Sequence, residues 1–254
     1  MRSRFDLKIR DHLDRPERKR HYNELHFSEA ASRYDFATRA MSLGRDGAWK
    51  RALVAALPEL AAPRCLDLAC GTGDIAFLLA RRYPEGAILG LDLAEPMLAI
   101  ARRRNRFPRV SFARGDLGAT GLEAASFDLV TGSYAIRNAP ELGAALDEIR
   151  RVLKPGGIAA FLDFSKPASP FWQRLQYRLL KNWCGLWGLL LHGNAEVHGY
   201  IAASLRAYPD RQELRGLLRR HGFACMAGRR FYGGLLEMLV VRKGLDPADE
   251  VRAC

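Results

Sequence analysis

Leu66-Asp67-Leu68-Ala69-Cys70-Gly71-Thr72-Gly73-Asp74 is the stretch on which the fold turns. Arg64 to Ala69 is a short apolar run that reads as a strand. The glycines after it let the backbone turn tightly and come close to a ligand, and Asp74 to Tyr83 has the apolar spacing of a helix. Strand, glycine turn and helix open a βαβ unit, and the pattern repeats outward. Further strands are predicted at Ala87 to Asp92, Val110 to Ala113, Phe127 to Gly132 and Gly157 to Phe164, with helices at Glu95 to Asn105 and Pro140 to Leu153. Lys154-Pro155-Gly156-Gly157 supplies the stop for the last of these helices. The order specifies a doubly wound α/β sheet, which binds ligands beyond the carboxyl ends of its strands.

On the N-terminal side, apolar residues between Phe27 and Leu57 recur at helical spacing and break near Gly44, which predicts a helical cap. The first twenty residues carry eight basic side chains against four acidic ones, and residues 1–26 read as a basic, peripheral arm. Beyond Pro170 the residues Trp172, Leu175, Leu179, Trp183, Leu186, Trp187 and Leu190 recur at helical spacing. They predict a helical insertion over residues 171–208, either an amphipathic lid or docking helix or plain core packing. A helix at Asp210 to His221, a strand at Phe223 to Gly228 and a strand at Leu235 to Arg242 complete the domain over residues 27–243, leaving a tail at 244–254.

With 254 residues, 48% of them hydrophobic and 27% charged, the chain is ordinary globular material with one core. Its apolar runs are too short to cross a bilayer and its N-terminus lacks a secretory apolar segment, so a cytoplasmic protein is expected. Five scattered cysteines without a CxxC pair predict reduced thiols and no metal site. A net charge of +12, from 40 Lys and Arg against 28 Asp and Glu, favours anionic partners: nucleic acid, an anionic membrane surface or an acidic ligand.

The second predicted strand ends in Asp92, nineteen residues after Gly73, where a carboxylate can accept both hydroxyl protons of a ribose. Gly115-Asp116-Leu117 follows the third strand, where an adenine can be met, and Gly132-Ser133-Tyr134 ends the fourth. The set specifies a nucleoside pocket. Asp74 and Ile75 stand where a dinucleotide fingerprint needs its last glycine, and a carboxylate there repels phosphate. A nucleoside with a cationic centre and an amino acid in place of phosphate fits, which describes S-adenosylmethionine.

These residues resemble the class I methyltransferases, and within them the ubiquinone and menaquinone biosynthesis C-methyltransferases. The likeness runs from about Phe27 to Lys243. It includes Ala31-Ser32-Arg33-Tyr34-Asp35, Met41-Ser42-Leu43-Gly44, Trp49-Lys50, the glycine loop, Ile136-Arg137-Asn138, Arg151 to Gly157, Phe164-Ser165-Lys166-Pro167 and Ser204 to Asp210. The resemblance implies a mostly parallel, seven-stranded Rossmann-like sheet with the last strand antiparallel. It implies S-adenosylmethionine contacts from Gly71, Thr72, Gly73, Asp92, Asp116, Leu117 and Ser133, with Asp67 supporting the loop and the methionine end. Asp67 and Asp74 have a second reading as local helix caps, favoured for Asp74.

Beyond the fourth strand, Arg137 is expected at the methyl acceptor. The resemblance gives the matching arginine a part in handling a water that deprotonates the substrate. An arginine is a poor base, so stabilising a developing phenolate suits it better, and a structural salt bridge is the alternative. Two departures from the family pattern are expected to face the acceptor: His198-Gly199-Tyr200 in place of a Tyr-x-Tyr, and Glu237-Met238 where a histidine is usual. His198 reads either as a general base or as a hydrogen-bonded structural residue.

The leading expectation is methylation of a ring carbon of a hydrophobic quinol. Its partners would be a quinol or other aromatic small molecule, an anionic membrane surface met by the apolar insertion with Arg174, Arg178 and Lys181, and a second copy of the chain in a homodimer. Small-molecule O- or C-methylation in specialised metabolism is the first alternative, suggested by the departures. RNA methylation is suggested by Arg102-Arg103-Arg104 and Arg229-Arg230 but lacks an Asn-Pro-Pro-Tyr-like tetrapeptide, so no nucleic acid is expected. A non-catalytic cofactor-binding protein is the last.

Overall fold

The computed structural model describes His12 and residues 15–244. The earlier part of the expected arm and the tail after Gly244 lie outside the described residues. A sheet of seven strands forms the middle layer: β1 (Arg64–Leu68), β2 (Ala87–Asp92), β3 (Val110–Arg114), β4 (Phe127–Ser133), β5 (Leu153–Phe164), β6 (Phe223–Phe231) and β7 (Leu236–Lys243). Their order is β3-β2-β1-β4-β5-β7-β6, with β7 antiparallel to both of its neighbours and the other pairs parallel. The sheet is the one expected, and its order reverses between β1 and β4, which opens the crevice where such sheets bind ligands.

Helices α4 (Asp74–Arg82), α5 (Glu95–Arg104), α6 (Leu142–Val152) and α9 (Arg211–Arg220) cover the faces of the sheet. Four of the five residues of β1 are buried, as a central parallel strand covered on both sides requires. Two strand boundaries differ from the sequence reading by more than two residues. β5 starts at Leu153, pairing with Phe127 before the Pro-Gly-Gly bend, and β6 continues to Phe231 because β7 pairs with it to Leu236.

The arm reading needs correction from Pro16 onward. Pro16–Ala30 is helix α1, and Tyr22, Asn23, His26 and Ala30 are buried along one side of it. Counting charges missed this because the basic residues ride on the outer face while few, widely spaced residues make the inner one. Lys19 Nζ donates to the carbonyls of Ala139 at 2.5 Å and Arg137 at 3.3 Å, and Asn23 Nδ2 donates to that of Asn138 at 2.7 Å. Burial lowers the Lys19 amine to about 8. Helices α2 (Tyr34–Met41) and α3 (Asp46–Ala55) complete the cap.

The insertion is two helices, α7 (Pro170–His192) and α8 (Glu196–Ala207), separated where Gly193 takes a left-handed conformation. Core packing accounts for one face of α7, and another apolar face is left exposed. Leu180, Cys184 and Gly188 are buried, whereas Phe171, Trp172, Leu179, Leu186, Leu189 and Leu190 are exposed.

Candidate active site

Beyond the carboxyl ends of β1, β2 and β4 lies a cleft lined by Asn23, Phe27, Gly71, Asp92, Leu117 and Ser133, among others. The glycine loop is shaped for it. Gly71 and Gly73 have φ of +54° and +91°, and a Cβ on Gly73 would stand 2.9–3.0 Å from the rings of Phe77 and Phe112, so a side chain is excluded there both by strain and by space. Asp92 ties the loop to the second strand: Oδ2 accepts from the Gly71 N–H at 2.8 Å and Oδ1 from the Ala94 N–H at 2.9 Å. Each oxygen keeps a lone pair for another donor. Burial raises this carboxyl, against the pull of the Ala94, Gly71 and Leu93 N–H groups.

A small extension of the cleft reaches Asp67, Thr72, Lys50 and Asp74. Asp67 is buried beneath the loop; Oδ1 accepts from Thr131 Oγ1 at 2.9 Å, and Oδ2 has no partner among the described residues. Burial pushes its carboxyl up to about 7, outweighing Thr131 and Lys50. Thr72 Oγ1 donates to Asp35 at 2.6 Å. Lys50 lies between Asp46 at 2.6 Å and Asp74 at 3.0 Å, and Arg104 bridges Asp74 at 2.7 Å and Asp35 at 2.9 Å. Asp74 is therefore an ion-pair partner, and its carboxylate is not the helix cap that was favoured for it. Arg102 is likewise paired with Glu95, so two members of the basic triplet are engaged within the chain.

The third-strand residues divide. Leu117 and Gly115 line the cleft, but the Asp116 carboxylate accepts from the Gly118 N–H at 2.8 Å and pairs with Arg20 at 2.9 Å. It sits behind the lining and ties α1 to the loop.

On the other side of Tyr34 and Tyr134 is a second, mostly apolar cavity of about 290 Å3, lined by His26, Met41, Arg137, Leu180, His198 and Tyr200 among others. The two tyrosines line this cavity and both parts of the cleft, so they form the partition between them. Tyr134 occupies a left-handed backbone conformation, φ +58°, rarely adopted by a residue with a bulky side chain. Its hydroxyl donates to Asp46 at 2.8 Å.

Arg137 is 2% exposed. Its Nε donates to Asp163 Oδ1 at 3.1 Å, its backbone N–H to Asp163 Oδ2 at 3.1 Å, and Nη1 bonds Ser204 Oγ. The guanidinium also faces the rings of Phe164 and Tyr200. Burial opposes its charge, but Asp163 and Tyr200 outweigh burial, so it stays protonated. The salt bridge and the place at the cavity coexist. His198 lines the same cavity with Nε2 unpartnered among the described residues, and burial with the neighbouring His192 lowers it to about 4. Of the two departures, only this one faces the cavity. Glu237 is buried elsewhere, paired with Arg215 and bonded to Ser165 at 3.1 Å, because its strand neighbour Leu236 takes the cavity side.

With this geometry in view, a family model described as the ubiE/COQ5 methyltransferase family matches residues 17–243. The chain belongs to the ubiE/COQ5 methyltransferase family. A demethylmenaquinone methyltransferase of Thermus thermophilus is 37% identical over 200 residues, covering 78% of this chain and 91% of that one. A 2-phytyl-1,4-naphtoquinone methyltransferase of Thermosynechococcus vestitus is 35% identical over 219 residues, covering 85% and 97%. Among solved structures, an S-adenosylmethionine-dependent methyltransferase from Mesorhizobium loti shares the fold with a TM-score of 0.57 at 21% identity, covering 77% of this chain and 97% of that one.

The family member described here is a methyltransferase and its cofactor is S-adenosylmethionine. The cleft fits that molecule. It has a carboxylate with spare lone pairs in Asp92, an apolar wall in Phe27, Met97 and Leu117, and partnerless buried polar atoms in Asp67 Oδ2 and Ser133 Oγ. Sequence reasoning missed Asn23, because it was assigned to an arm, and Tyr34 and Tyr134 as the partition. It also missed Asp163 as the counter-ion of Arg137. α1 carries almost no apolar periodicity, so Asn23 had no local signal, and neither did Asp163, one acidic residue in an apolar strand.

Proposed function

We propose that the chain methylates a ring carbon of a hydrophobic quinol in quinone biosynthesis, with the quinol in the apolar cavity and S-adenosylmethionine in the cleft. The observation that carries this reading is the enclosed cavity abutting the cleft across Tyr34 and Tyr134, with Arg137 as its cation. Two relatives named for menaquinone and phytyl-naphthoquinone methylation support the acceptor class.

When bound, S-adenosylmethionine supplies an electrophilic methyl group on a sulfonium. Asp92 would hold the ribose hydroxyls, Leu117 would pack on the base, and Gly71, Thr72, Gly73 and Ser133 would shape the loop around the rest. Asp67 would lie toward the positively charged methionine end, and Asp116 acts at one remove by fixing the Gly115-to-Gly118 turn. In the acceptor cavity, Arg137 has five side-chain N–H donors, of which Asp163 and Ser204 use two; the remainder serve an oxygen that becomes anionic. His198, lowered to about 4 and so neutral near pH 7, is too weak a base to take the hydroxyl proton and instead accepts a hydrogen bond from the ring hydroxyl. The apolar lining keeps water from the reacting carbon.

The protein works in the cytoplasm at the inner face of the membrane, where such quinols reside. Among the described residues no helix is long and apolar enough to cross it. The exposed Phe171, Leu186, Leu189 and Leu190 of α7, with Arg174, Arg178 and Lys181 beside them, suit an anionic bilayer surface. The test is incubation with methyl-labelled S-adenosylmethionine and a host extract, followed by separation of lipid, RNA and small polar fractions. Label in a lipid quinone is expected; label in RNA or in small polar products only would overturn the reading.

A further inference from the structure

A groove of about 540 Å3 runs along the outer side of α7, between Trp172, Leu175 and Leu179 of that helix and the Tyr232-to-Leu235 turn. Four residues, Leu180, Trp183, Tyr232 and Leu235, line both this groove and the acceptor cavity, and so form a neck between them. The neck is anchored to one place. Trp183 Nε1 donates to the Met41 carbonyl at 3.1 Å, and the Tyr232 hydroxyl to the Ser42 carbonyl at 3.3 Å. The turn itself runs through three consecutive left-handed residues, Tyr232, Gly233 and Gly234, and is clasped by Arg211, which bonds the Gly234 carbonyl and, at 2.7 Å, Ser165 Oγ.

The cavity alone lies at the low end of the roughly 300–1,000 Å3 typical of small-molecule sites. An aromatic head fills such a space, and a long hydrocarbon chain attached to it must leave. The neck leads away from the cofactor cleft and opens onto Trp172, Leu175 and Leu179, which are 57%, 38% and 61% exposed among the described residues. We propose that this groove holds the isoprenoid tail of the acceptor, with the neck separating head from tail. The proposal rests on the quinol reading of the cavity and adds a second subsite that sets tail preference.

Leu179 lines the groove and not the cavity, and its exposure lets a charged side chain be introduced without disturbing the core. In detergent, kcat/KM is measured for a polyprenyl naphthoquinol and for the same quinol without a tail. Leu179→Asp is expected to lower the ratio of tailed to tail-less kcat/KM by about tenfold, since burying each methylene is worth roughly a factor of four. Asn182→Asp, on the same helix but exposed outside the groove, should keep the parent ratio. Equal losses on both acceptors, or an unchanged ratio in Leu179→Asp, would overturn the proposal, as would an altered ratio in Asn182→Asp. A separate readout needs no turnover: geranylgeraniol should shift the fluorescence of Trp172 and Trp183 saturably, more weakly in Leu179→Asp. Failure to methylate either quinol would count against the quinol reading alone, whereas absence of a saturable shift would count against the groove.

Discussion

The cofactor cleft and the acceptor cavity share a wall, yet they are built in opposite ways. The cleft is made of strand ends and the turns that follow them, and it works through backbone conformation: left-handed glycines, N–H groups and a carboxylate that ties two loops together. The cavity is made mostly by side chains from α1, α2, α7, α8 and the Tyr232 turn, joined by Trp49 of α3 and by Tyr134, Arg137 and Phe164 at the ends of β4 and β5, and the cation of its described lining, Arg137, is balanced by one buried carboxylate. A region held by backbone tolerates change around it. One held by a buried charge pair concentrates its vulnerability at that pair.

The contrast is tested most severely at Arg137. Arg137→Leu leaves Asp163 charged in the interior without its cation, with only backbone N–H donors, and chemical denaturation should register a loss of about 3–5 kcal/mol. Adding Asp163→Asn should restore much of that stability without restoring methyl transfer. If transfer returns with stability, the guanidinium serves structure alone and the cavity has lost its proposed anion-stabilising group.

A histidine held at about 4, below its ordinary 6.5, favours the folded state while neutral. The unfolded chain binds the proton first, so this contribution is complete above pH 6.5 and is lost progressively as pH falls toward 4, by about 3 kcal/mol. Denaturation midpoints of His198→Asn should lack that share of the decline. An identical pH profile would place His198 outside the cavity's electrostatics.

On the cleft side, Asp92→Ala removes the acceptor of both the Gly71 and Ala94 N–H groups. Calorimetry should show S-adenosylmethionine affinity falling by about a hundredfold or more, equivalent to roughly 2.7 kcal/mol, while acceptor-side residues stay in place. Unchanged affinity would break the cofactor assignment.

Asp67 gives a stability change of the opposite sign from His198 and the smallest expected change in binding. Its carboxyl is raised to about 7, so the folded chain takes up a proton that the unfolded chain does not, and stability from this group increases as pH falls from 7 toward 4. Cofactor binding should instead favour the ionised form, strengthening by about tenfold between pH 6 and pH 8. The increment should vanish in Asp67→Asn; if that variant keeps it, the titrating group lies elsewhere.

The same contrast explains what could be read from residues alone. Gly71, Gly73 and Asp92 are legible because their roles are local: a turn after a strand, and a carboxylate at the next strand's end. The strand order and the antiparallel β7 came through the family resemblance, since nothing local in Leu235 to Arg242 dictates direction. The cavity was legible only in part. Arg137 and His198 were identified, but Glu237 was assigned to the wrong face because pairing register, set by β5, decides which of two adjacent residues points inward. Asp116 and Asp74 were correctly placed near the site and misjudged in detail, because a carboxylate's partner, such as Arg20 or Lys50, comes from a distant helix whose docking no local pattern announces.

The docking of α1 has a consequence for how the chain acquires its shape. Lys19 bonds the Ala139 carbonyl across 120 residues of sequence, and Asn23 reaches the Asn138 carbonyl across 115. Before β4 is made, the first described helix can dock only in part, against α5 and through Glu24 with Arg114 and Arg20 with Asp116. Lys19 and Asn23 must wait for β4 and the turn after it. The helix then closes over the turn that carries Arg137, so its docking is completed late.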